Sequence, residues 1–282
     1  MFFMWKRLFG LFFAAAMACP LTAAAQTQNL EIDGDHGKLS AVIQRPDNQT
    51  KYPMVMLLHG FTGNKEQDLL RTIANNLEAQ GVASIRFDFN GHGASEGSFQ
   101  DMTVLNEIED AKKVYAYVSS LPEVTSVSIA GHSQGGVVTS MIAGQLGTDK
   151  VKAIALMAPA AVLREDAIRG NTQGAQYDPL NPPEYIELKR PGRDSVKIGR
   201  NYFLTARDLP IYEVSAAYQG PALMVHGTGD VIVPYTYSQR YAHIYINSEI
   251  ILLPGFDHGF TQDVAKTAKI VSDYFVKQLL SR

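Results

Sequence analysis

Residues 124–136 read VTSVSIAGHSQGG, and this stretch decides the fold. Val124 to Ile129 reads as a short strand and Gly135 to Leu146 as a helix, joined by a turn of only a few residues. Between them, Gly131-His132-Ser133-Gln134-Gly135 matches G-x-S-x-G in the strand-turn-helix setting that gives this motif meaning. A hydroxyl pushed into the open on such a strained turn needs small neighbours, which Gly131 and Gly135 supply. Ser133 is therefore the candidate nucleophile. Five residues alone also fit an ordinary Gly-Ser turn, and the position between strand and helix favours the chemical reading.

The same alternation extends in both directions. Upstream, Leu39 to Ile43 and Met54 to Leu58 read as strands, residues 67–80 as a helix ended by Gly81, and Val82 to Phe87 as a further strand. Val104, Ile108, Ala111, Tyr115 and Val118 recur every three or four residues, one face of a helix closed by Pro122. Downstream come strands at 151–157, 222–225 and 250–253, with helices at 235–244 and 262–280. This is the pattern of an α/β fold with a mostly parallel central sheet flanked by helices, and functional loops belong at the carboxyl ends of its strands. Between about 158 and 220 the alternation fails. The segment holds Asn181-Pro182-Pro183 and a hairpin expected at 185–189 and 195–198 around Pro191-Gly192, and it reads as an inserted cap.

A serine hydroxyl is a weak nucleophile at neutral pH, so it needs an imidazole to take its proton and a carboxylate to fix the imidazole tautomer. The expected chain order is Ser, acid, His. Asp230 follows the strand ending at Val225-His226-Gly227, and His258 follows the strand ending near Leu253-Pro254. His243 is the rival histidine but falls within a helix, and Asp257 is expected to be a solvated loop carboxylate. A transition-state oxyanion needs preorganised donors. The backbone N–H of Gln134 is one candidate, and Phe61, in His59-Gly60-Phe61-Thr62-Gly63, supplies the other. Asp88-Phe89-Asn90-Gly91-His92-Gly93 reads as a tight structural turn with no metal-ligand spacing.

With 282 residues and 46% hydrophobic content the chain suffices for one large catalytic domain. Its formal net charge is -3 and it has no basic run, which argues against a nucleic-acid partner. Lys6-Arg7, an apolar stretch from Leu8 to Ala18 and Ala23-Ala24-Ala25 fit a secretory signal over residues 1–25, shorter than the roughly 20 apolar residues of a membrane span. The domain then covers 26–282, exported to the periplasm or secreted, with no transmembrane anchor in the mature chain. Lipidation at Cys19 is the lesser alternative. Cys19 is the single cysteine, so a chain cleaved after Ala25 has no disulfide, thiol nucleophile or sulfur ligand.

With these residues placed, the chain resembles the bacterial feruloyl or cinnamoyl esterases of the α/β-hydrolase superfamily over nearly everything after the signal. The likeness is carried by HGFTGNK from His59, DFNGHGASEG from Asp88, GHSQGG from Gly131, APAA from Ala158, LPIYE from Leu209 and HGTGD from His226. The first three mark the fold. LPIYE and the insertion stretches DAIRG from Asp166, Gln173-Gly174 and Tyr177-Asp178-Pro179 narrow it to this group. The resemblance implies an enzyme that releases ferulic, coumaric or caffeic acid from small-molecule or oligosaccharide esters, the aromatic ring lying under the cap. It also implies that Asp166 and Tyr202 meet the ring hydroxyl, with Gln173 nearby, although each also fits a role in the cap's own hydrogen bonds. The export signal and a longer hairpin near 190–194 depart from the family pattern. Two-step acyl transfer needs no metal or organic cofactor. A broad-specificity esterase or lipase, a serine peptidase and a non-catalytic carrier of aromatic acids are the competing readings, and a homodimer is a candidate assembly.

Overall fold

A computed structural model describes residues 26–47, 49–190 and 192–280. The expected signal at 1–25, with Cys19, lies outside the described residues. The chain begins β1 (Gln26–Asp33), β2 (Lys38–Arg45), β3 (Tyr52–Leu58), α1 (Asp68–Ala79), β4 (Ala83–Phe87), α2 (Val104–Ser120), β5 (Val124–His132), α3 (Gln134–Leu146) and β6 (Val151–Met157). An insertion follows: α4 (Val162–Arg169), the two-residue strands β7 (Asn171–Thr172) and β8 (Ala175–Gln176), the hairpin β9 (Tyr185–Arg190) and β10 (Arg193–Gly199), α5 (Arg200–Arg207) and α6 (Ile211–Ser215). The alternation resumes with β11 (Ala222–Gly227), α7 (Thr236–Ile244), β12 (Ser248–Leu253) and α8 (Val264–Leu280).

Eight strands form one sheet in the order β1-β2-β4-β3-β5-β6-β11-β12. The first two pairings are antiparallel and the remainder parallel, so the expectation of a mostly parallel sheet holds. All seven residues of β3 are buried, as a strand covered on both faces requires. On one face α1 sets Leu70, Ile73 and Leu77 against Val55, Leu57 and, from α8, Val271 and Phe275. On the other, α2 and α3 set Ile108, Ala111, Val138 and Met141 against Met54, Met56 and Ile129. Thr103 caps α2 by accepting the Asn106 amide at 3.1 Å.

The insertion is seated by close backbone contact. A Cβ at Gly199, where β10 meets α5, would lie 2.2 Å from the Gln100 carbonyl oxygen, so only glycine lets the hairpin pass over this turn. The hairpin is present as expected, whereas α4, α5 and α6 stand where the sequence reading placed no helix. Among the described residues no helix is long and apolar enough to cross a membrane.

Candidate active site

Ser133 sits between β5 and α3 with φ 57° and ψ -122°, a left-handed conformation that a side-chain-bearing residue adopts only under strain. The strain is held from several sides. Ser133 N–H donates to the Met157 carbonyl at 2.9 Å, and the Ser133 carbonyl accepts the Gly136 and Ala160 amides at 2.9 and 3.0 Å. Both motif glycines are required sterically: a Cβ at Gly131 would lie 2.0 Å from the Gly135 carbonyl oxygen, and one at Gly135 would lie 2.4 Å from that of His59.

The loops after β11 and β12 bring the other two side chains to this turn. His258 Nε2 lies 2.8 Å from Ser133 Oγ, and His258 Nδ1 lies 2.7 Å from Asp230 Oδ2. An N–H at Nδ1 donating to the carboxylate leaves Nε2 free to accept the serine proton. Asp230 Oδ1 accepts the amides of Ile232 and Val233, each at 2.8 Å, and Oδ2 also faces His226 Nε2 at 3.1 Å. Burial alone would raise this carboxyl, but hydrogen bonds from His226, His258 and Val233 outweigh it and hold Asp230 well below the usual carboxylate range. It is a fixed anion behind the ring of His258.

The loop after β3 is anchored by a buried histidine. His59 Nε2 accepts the Phe89 amide at 3.1 Å, while its Nδ1–H donates to the Gly60 carbonyl at 2.9 Å. Burial pushes its basicity down to about 4, which keeps the ring neutral and this bonding pattern intact. Gly60 lies against the nucleophile, where a Cβ would be 2.7 Å from that of Ser133. Among the described residues, neither the Phe61 nor the Gln134 amide has a hydrogen-bond acceptor.

Ser133 opens into a cavity of about 290 Å³ whose walls include Phe61, Gln134, Asp166, Gln173 and Tyr202, so every candidate from the insertion reaches the same space. Burial raises the Asp166 carboxyl above its ordinary range. Tyr202 is deeply buried, its hydroxyl donating to Gln134 Oε1 at 2.9 Å. Gln134 Nε2 in turn donates to Glu107 Oε2 at 2.9 Å and faces Met102 Sδ at 3.5 Å. Glu107, on α2, is pushed up to about 8 by burial. Val231, 94% exposed, and Ile232 stand at the mouth.

The Asp88 to Gly93 stretch is a packed turn. Asp88 pairs with Lys65 Nζ at 2.7 Å and accepts the Lys65 and Ala94 amides, while His92 is buried and pushed down to about 3 by burial and the nearby His59. His243 is exposed on α7, bonded to the Gln239 carbonyl. Asp257 accepts the Thr261 amide and hydroxyl at the surface. His226, Glu107 and His132, whose Nε2 lies 2.8 Å from the His258 carbonyl, belong to the site but were not singled out from sequence. The signal for Glu107 was its place three residues after Val104, on the apolar stripe of α2.

The family profile described as "Serine aminopeptidase, S33" matches residues 49–176. Est1E from Butyrivibrio proteoclasticus, solved with ferulic acid bound, superposes with a TM-score of 0.84 at 32% identity, covering 89% of this chain and 100% of that one. The quorum-quenching protein AidA of Acinetobacter baumannii is 32% identical over 38% of this chain and 36% of its own length. Esterase EstD of Thermotoga maritima is 25% identical over 73% of this chain and 52% of its own. The chain thus spans only about a third to a half of these two curated relatives, but the whole of Est1E. It belongs to the feruloyl esterase-like family of the α/β-hydrolase superfamily and is a serine carboxylic-ester hydrolase.

Proposed function

We propose that the chain releases hydroxycinnamic acids (ferulate, coumarate, caffeate) from small-molecule or oligosaccharide esters. The observation that carries the reading is the relay Ser133 Oγ, His258 Nε2 and Asp230 Oδ2 at 2.8 and 2.7 Å, opening into a cavity lined by Asp166, Gln173 and Tyr202. Its counterpart Est1E holds ferulic acid. Ser133 attacks the ester carbonyl while its proton passes to His258; His258 then protonates the leaving alcohol. A water deprotonated by the same ring attacks the acyl-enzyme and frees the acid. The Phe61 and Gln134 amides stabilise the oxyanion, each worth about 3 kcal/mol.

Turnover of methyl ferulate, an aryl acetate and a peptide p-nitroanilide tests the reading. A clear preference for methyl ferulate that vanishes in Ser133→Ala supports it. Preference for the acetate or the anilide replaces it with a general esterase or a peptidase, and failure of a fluorophosphonate to label Ser133 leaves a carrier. The signal at 1–25 supports export to the periplasm or medium. Amino-terminal sequencing of exported protein should begin near Gln26, and a lipid-modified Cys19 would overturn that cleavage site.

A further inference from the structure

We propose that Glu107 is a positioning residue for acyl-ring recognition: through the carboxamide of Gln134 it fixes which way the Tyr202 hydroxyl points, so that the cavity offers acceptors to the ring. This inference rests on the function proposed above.

Direction follows from counting hydrogens. Glu107, neutral below about 8, still accepts through its carbonyl oxygen, and a thioether sulfur only accepts, so the Gln134 atom that faces both Glu107 Oε2 at 2.9 Å and Met102 Sδ at 3.5 Å is Nε2, which turns Gln134 Oε1 toward Tyr202. A carboxamide oxygen only accepts, so the single Tyr202 proton is committed to it at 2.9 Å. What Tyr202 keeps for the cavity is a lone pair. Asp166, a carboxyl on the cavity wall, is also an acceptor when charged. A ring bearing a hydroxyl can donate to these groups, and a ring whose oxygen is methylated cannot. The relay is largely buried, with Glu107 2%, Gln134 2% and Tyr202 4% exposed, so bulk water does not readily make good a partner lost within it. Without the Glu107 acceptor the carboxamide can turn over, Nε2 donating to Tyr202. The freed phenol proton then points into the cavity and meets a methoxy oxygen as readily as a hydroxyl.

The test compares methyl ferulate, methyl 3,4-dimethoxycinnamate and methyl cinnamate in the full enzyme and in Glu107→Leu, Glu107→Gln and Tyr202→Phe. The wild type should favour ferulate over the dimethoxy ester by about tenfold or more in kcat/KM, as expected when a buried acceptor is left unmatched. That ratio should collapse in Glu107→Leu and Tyr202→Phe, through KM more than kcat, and largely return in Glu107→Gln, whose side-chain oxygen can still accept from Gln134. Methyl cinnamate, lacking ring oxygens, reports whether the hydrolytic machinery survives each substitution. A ratio that persists in Glu107→Leu while methyl cinnamate is still cleaved overturns the inference. If that variant does not fold, a persisting ratio in Tyr202→Phe does the same. A wild type that cleaves methyl ferulate without discriminating sinks this inference alone, whereas one that cleaves none of the three esters sinks the proposed function beneath it.

Discussion

His226 Nε2 lies 3.1 Å from Asp230 Oδ2, the same oxygen that faces His258 Nδ1 at 2.7 Å. His226 is wholly buried, its Nδ1 lies 2.7 Å from Ser238 Oγ, and its Nε2 also reaches the Val233 carbonyl at 2.9 Å. A serine hydroxyl donating to Nδ1 leaves the ring hydrogen on Nε2, shared between the Val233 carbonyl and Asp230, so Asp230 receives the His258 N–H and a share of the His226 N–H on one oxygen and two amides on the other. With its lone pairs occupied, the carboxylate has one orientation available, and that orientation sets the tautomer of His258.

Replacing His226 with Leu should therefore act on the reaction as well as on the fold. An unmet acceptor on a buried carboxylate costs about 1–3 kcal/mol, so the urea midpoint should fall by that equivalent. kcat on methyl ferulate should drop about tenfold as Asp230 and His258 loosen. An unchanged kcat in a destabilised variant would mean that the Ile232 and Val233 amides alone fix the carboxylate.

Ser133 stores strain at φ 57°, and glycine is the residue that relieves it. Ser133→Gly and Ser133→Ala both remove the hydroxyl and should lose activity by about 10⁴-fold or more. Only the glycine variant escapes the Cβ penalty, so its thermal midpoint should exceed that of the alanine variant by the equivalent of about 1–2 kcal/mol. Equal midpoints would show that the turn is not strained.

What the sequence disclosed tracks how local each signal is. β3 was legible because an unbroken apolar run marks a strand covered on both faces, β5 because it leads into the Gly131–Gly135 motif, and the order Ser133, Asp230, His258 followed from where successive strands end. β1 was not legible: its exposed, polar start becomes a strand only by pairing along the whole of β2. Helices α4, α5 and α6 have 8, 8 and 5 residues, too short for local propensity to decide, and packing within the insertion forms them. His226 looks in sequence like any polar residue in a strand, and only the fold shows that it faces Asp230.

Burial raises Glu107 to about 8 and Asp110 to about 6. Each folded carboxyl thus holds its proton more tightly than the unfolded one, so its contribution to stability is complete below the ordinary carboxyl range. The contribution is lost as pH rises, through about 6 for Asp110 and about 8 for Glu107. Between pH about 6.5 and about 9 the loss belongs mainly to Glu107. Urea midpoints should fall across that interval in the wild type and fall less in Glu107→Gln. Parallel losses in the two proteins would acquit Glu107.

The loop that carries Phe61 is tied down by the buried pair of Lys65 and Asp88, at 2.7 Å. Asp88 also accepts the Lys65 amide at 2.6 Å and the Ala94 amide at 2.9 Å, so its oxygens serve the backbone of two loops at once. Lys65→Met removes the countercharge and leaves an anion in the interior, which should destabilise the protein by about 3–5 kcal/mol. Adding Asp88→Asn removes that anion while its carboxamide oxygen can still accept from a backbone amide. The double variant should therefore recover more than half of the loss, a coupling well beyond the roughly 0.5 kcal/mol seen for independent sites. Additive losses in the double-mutant cycle would instead mean that Asp88 acts through the backbone alone, with the ammonium contributing nothing.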